Sequence, residues 1–213
     1  MGATYRNIAI FFLVILVFVF TAFFKTYFSL FPDFKNTTLL VHTHVAVLLL
    51  WFAMLIAQPV LIGIKQLELH RLVGKASYIL VPLVVISSAL MTRNQQMREK
   101  GLILFTANII DLSVFVLLYT FAIIYKGKVS WHSRFMILTV LPFISPSAAR
   151  LQMNGLAIEL GIILILLVIE RFNRKIYKPY ILALCIFFIL YISLGSLLIL
   201  KPGVLDSVWK VFF

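Results

Sequence analysis

Long apolar runs, one after another and parted by only a few polar residues, leave this chain few ways to fold. They cover Asn7–Phe31, Leu39–Ile64, Leu72–Thr92, Leu102–Tyr125, His132–Leu151, Leu156–Phe172 and Pro179–Leu200. Crossing a bilayer takes ~20 residues of α-helix, and most of the runs are that long. A soluble core could not hide them all: 12% of the 213 residues are charged, against about 25% in soluble domains. No run alternates with a period of two, so they read as helices, not as barrel strands. The expectation is an all-α polytopic membrane helix bundle of seven transmembrane helices, a single integral membrane domain over residues 1–213. The first run is too long for a signal-peptide core and has no small-residue cleavage site after it, so it reads as a retained span. The segment Gly203–Phe213, rich in Val, Trp and Phe, reads as lying in the interface.

Charge follows the same frame. The formal charge of +12 would suggest nucleic acid in a soluble chain. Here Lys and Arg gather at span ends, where anionic headgroups meet them, so the implied partner is the lipid bilayer and not nucleic acid. Eleven of them fall on the side of the N-terminus and eight opposite. That excess puts the N-terminus in the cytoplasm. Cys185 is the only cysteine, which excludes an intrachain disulfide and a thiol-based metal site.

With seven spans the four histidines fall into two layers. His70 and His132 sit at the mouths of the third and fifth spans, on the cytoplasmic side. Arg71 follows the first, and Arg134 stands two residues after the second. Imidazoles from facing helices hold haem iron in membrane b-type cytochromes, and guanidinium groups fork onto carboxylates such as haem propionates. One haem b ligated by His70 and His132 and steadied by Arg71 and Arg134 is therefore one reading. Anchoring to lipid phosphates is the other.

The second layer lies on the opposite side. His44, Trp51 and Gln58 are spaced by seven and share a face of the second span. Asn108 and Asp111 share a face of the fourth, Arg150 and Asn154 mark the end of the fifth, and Glu159 lies one turn into the sixth. A charge at the bilayer centre costs at least ~2.5–3.5 kcal/mol, so Asp111 calls for a partner, with Arg150 or His44 expected. His44, Gln58, Asn108, Asp111, Arg150 and Glu159 then line a polar pocket for a small polar ligand, or form a structural set of ion pairs. Pro142 and Pro146 interrupt the fifth run, as in broken helices that line transporter sites or in tolerated kinks. No zinc-peptidase, nucleophile-elbow or phosphate-loop motif is present, and no residue is marked as catalytic. A membrane enzyme is the least supported class.

His44, then His70-Arg71-x-x-Gly74-Lys75-x-x-Tyr78, then His132-x-Arg134-x-Met136 resembles a bacterial family of multi-span membrane proteins of unassigned function, across about residues 40–151. The chain departs from that pattern at Thr43-His44-Val45, where the family tends to carry a small residue and glycine after the histidine. The resemblance implies the architecture and the choice of residues more than an activity. A looser similarity to bis-histidine cytochromes b rests on histidines from the third and fifth helices. Asn108 and Asp111 stand where a second haem would need a histidine.

Overall fold

A computed structural model describes residues 3–99, 102–173, 178–200 and 203. The tail beyond Gly203 and the basic residues Arg174, Lys175, Lys201 and Lys210 lie outside the described residues. The described residues are helical, with no strand among them. Among the described residues, four stretches are long and apolar enough to cross a membrane: Thr4–Phe23, Leu39–Gly63, Leu67–Asn94 and Phe105–Ile124. The chain divides into two compact units. One holds the residues up to Met91 together with Ser147–Met153; the other holds Thr92–Pro146 and the residues from Asn154 onward.

In the first unit, α1 (Ala3–Phe23) packs along α2 (Leu39–Gly63). Between them the chain makes a 3-10 turn at Phe28–Leu30, a cis Phe31–Pro32 bond, and left-handed residues at Phe34 and Asn36. Tyr27, Phe34 and His42 close this end as an aromatic knot, with the Tyr27 hydroxyl 2.8 Å from His42 Nδ1. α3 (Leu67–Glu99) follows after a three-residue link. It starts five residues before the expected span, which places His70 inside its first turn. It also runs on through Arg93–Glu99, where a polar loop was expected. Arg, Gln, Met and Glu there are strong helix formers, and no glycine intervenes before Gly101. At 1.5 Å per residue its 33 residues reach ~50 Å, beyond a hydrocarbon layer of ~30 Å. Trp51, Phe52 and Leu55 of α2 and Val84 of α3 are deeply buried in this unit.

In the second unit α4 (Leu102–Ile124), α5 (Val129–Leu138), α7 (Gly155–Phe172) and α8 (Lys178–Leu200) pack together. Its core is Val114, Phe115 and Leu118 of α4 with Phe135, Leu138, Ile163 and Phe187. The expected fifth span is not one helix. α5 stops at Leu138, a 3-10 turn covers Leu141–Phe143, and α6 (Ile144–Arg150) restarts the winding for seven residues. Pro142 and Pro146 have no N–H to continue an α-helical ladder, and the break carries the chain from the second unit back to the first.

Candidate functional site

The residues expected to line one pocket fall in two sets: His44, Gln58 and Arg150 in the first unit, Asn108, Asp111 and Glu159 in the second.

In the first unit the α2 stripe is a clasp. Trp51 is fully buried, so the stripe does face inward. His44 Nδ1 lies 3.1 Å from the Ser87 hydroxyl of α3, and Gln58 Nε2 donates to the His70 carbonyl at 3.3 Å. Because the Ser87 hydroxyl donates to Val84 O, it accepts from His44 Nδ1–H. The polar stripe thus ties α2 to α3 at both ends. The Arg150 guanidinium lies 4.0 Å over the Phe23 ring, a cation–π contact.

In the second unit two carboxyl groups are buried close together. Glu159 is 0% exposed and Asp111 6%. They are near enough for their charges to bear on each other. Asp111 Oδ1 accepts the Tyr191 hydroxyl of α8 at 2.8 Å, and Tyr191 also lies beside Glu159. Glu159 Oε1 accepts two bonds from Ser145 in the broken segment, from its hydroxyl at 2.8 Å and its backbone N–H at 3.1 Å. Glu159 Oε2 is buried and has no hydrogen-bond partner among the described residues.

The local sequence explains how Glu159 reaches Ser145. Asn154 caps α7, its side chain accepting from Ala157 N at 3.0 Å. Gly155 then brings the first turn of α7 against the broken segment: a Cβ there would stand 2.5 Å from Ser145 Cα. Only glycine permits that approach. Asn108 is half-buried one turn before Asp111 on α4.

The histidine motifs are placed similarly but belong to different units. His70 is the fourth residue of α3 and His132 the fourth of α5, and each backbone N–H bonds the residue four before it at 2.9 Å. His132 Nδ1 donates to the Ala122 carbonyl at 2.8 Å, which leaves Nε2 as its open nitrogen. Arg134 forms an ion pair with buried Glu170, donates to Ser130 O at 2.7 Å, and lies over the Tyr180 ring. Arg71 is exposed. Among the described residues no three His, Cys, Asp or Glu side chains gather to hold a metal.

Ser145, Tyr191 and Gly155 were not singled out as site residues from sequence. For Ser145 the nearest signal was its neighbour Pro146, which marks an interruption of the run. A hydroxyl in the middle of an apolar run was the available signal for Tyr191. No protein-family model, curated protein or solved structure matches the chain.

Proposed function

We propose that the protein is a small membrane carrier in which Asp111 and Glu159 bind a proton and release it across the membrane, alone or with a small polar solute. The observation that carries this reading is Glu159: a wholly buried carboxyl on an apolar helix, with one oxygen held by Ser145 and the other unpartnered among the described residues. Ionisable groups at membrane depth are expensive and mark ion pathways and proton relays. Discontinuous helices line the sites of many carriers, and here the broken segment itself supplies the donors to Glu159. Tyr191 and Ser145 offer hydroxyls through which a proton can pass to and from the pair. Seven crossings, with the α5–α6 segment as a broken fifth, a bacterial inner membrane and a cytoplasmic N-terminus all belong to this proposal.

The test is proton entry into liposomes carrying trapped pyranine, driven by an inside-negative potassium diffusion potential. Wild-type protein is expected to admit protons well above protein-free liposomes, and Glu159→Gln to fall to that background. Equal rates for wild type and Glu159→Gln would remove the reading.

A second reading rests on His132. Ligating histidines commonly donate their other ring N–H to a carbonyl, as His132 does to Ala122. His132 would ligate a haem b through Nε2, which would supply one-electron chemistry, while Arg134 is already committed to Glu170. Protein from haem-supplemented expression that lacks a Soret band would exclude it.

A further inference from the structure

Between the two clasps α2 and α3 stand apart. The gap is an open apolar groove of about 510 Å³, with Leu50, Ala53 and Ala57 on one wall and Val73, Ala76 and Leu83 on the other. Alanines facing each other usually let membrane helices close up, and these do not. At 1.5 Å per residue the wall from Val73 to Leu83 is ~15 Å long, about one leaflet of a ~30 Å hydrocarbon layer. One end lies beside Gly74, where Gln58 Nε2 comes within 3.9 Å of a Cβ placed there. That is also the charged end. Lys65, Arg71 and Lys75 are exposed there against Glu68 alone. Arg71, Lys75 and Ile79 follow at four-residue steps on one face of α3, and Ile79 lines the groove. The cations therefore lead directly into the apolar wall.

We propose that this groove binds one anionic phospholipid, its phosphate held by Arg71 and Lys75 and one acyl chain laid between α2 and α3. The chemistry matches at both ends. A guanidinium and an ammonium suit a phosphate, and a dry slot of leaflet depth suits a hydrocarbon chain. The His-Arg-x-x-Gly-Lys motif then acquires a role distinct from the carboxyl cluster. Gln58 and the His70 carbonyl fix the helix pair beside Gly74, and Arg71 and Lys75 read the headgroup. Neither cation is buried, so replacing them leaves the helix packing as it is.

Native mass spectrometry of the detergent-purified protein, offered phosphatidylglycerol or phosphatidylcholine, tests this. Wild type is expected to retain one phosphatidylglycerol at least tenfold better than phosphatidylcholine. Arg71→Gln/Lys75→Gln should lose that preference, and Ala76→Phe should lose retention of both lipids, with helical circular dichroism unchanged in each. Equal retention of the two lipids by wild type, a measurement that needs no variant, would overturn the proposal. So would undiminished preference in Arg71→Gln/Lys75→Gln, or a lipid-free dimer that Ala76→Phe dissolves, which would make a second copy the occupant.

Discussion

Glu159 and Glu170 stand eleven residues apart on α7, close to three full turns, so they share one face of one helix. Both are buried, at 0% and 7% exposure. Their surroundings differ in kind. Glu170 meets a guanidinium: Arg134 of α5 pairs with it and is itself held by Ser130 O and the Tyr180 ring. Glu159 meets hydroxyls and a second carboxyl, and one of its oxygens has no hydrogen-bond partner among the described residues. A buried charge with a matched counter-charge is committed to holding helices together. A buried carboxyl among hydroxyls can change its proton without breaking an ion pair. Position on the helix face is thus the same, and the two residues differ in their partners.

Removing either half of the paired site should have the largest effect. Glu170→Ala or Arg134→Ala leaves an uncompensated buried charge and is expected to cost about 3–5 kcal/mol, read as a fall in thermal unfolding temperature in detergent. The double change Arg134→Met/Glu170→Leu should recover most of that loss, since apolar replacement of a whole buried pair is often neutral. A double variant as unstable as either single one would mean that the pair is not what stabilises this end of α7.

The next effect in size comes from the approach that positions Glu159. Gly155→Ala puts a methyl 2.5 Å from Ser145 Cα, and forced overpacking of this kind costs roughly 1–3 kcal/mol. Because the backbone must move, proton entry should fall along with stability. Stability that falls while proton entry stays at the wild-type rate would separate the Ser145 contact from function.

Tyr191→Phe should have the smallest effect on stability. Hydrogen bonds between membrane helices are worth on average ~0.6 and at most ~1.7 kcal/mol, so loss of the bond to Asp111 should barely shift unfolding. Its effect should appear in proton entry instead. A large stability loss with an unchanged proton rate would make Tyr191 a structural residue like Arg134.

These contrasts show what the sequence could reveal. The helical nature of the chain was legible because long apolar runs without a period of two admit little else. The inward face of α2 was legible as well, since His44, Trp51 and Gln58 recur at seven. Asp111 and Glu159 stood out because charge is rare in such runs. Their partners were not legible. Arg134 and Glu170 are 36 residues apart, Asp111 and Tyr191 are 80, and no spacing rule links residues on different helices. Helix ends were misplaced for a local reason: hydropathy marks where apolar residues stop, whereas α3 continues through Arg93–Glu99 on helix propensity alone. In the fifth run Pro142 and Pro146 signalled an interruption, but Leu141, Ile144 and Ala148 keep it apolar throughout, so hydropathy did not show where α5 ends and α6 begins.

The central claim is that Glu159, unlike Glu170, carries an exchangeable proton. Infrared difference spectra of the reconstituted protein, between mildly acidic and alkaline buffer, test it directly through the carbonyl stretch of a protonated carboxyl group. Part of the band is expected to be lost in Glu159→Gln, what remains belonging to Asp111, and all of it to be retained in Glu170→Gln. A band undiminished in Glu159→Gln, or lost only in Glu170→Gln, would contradict the assignment.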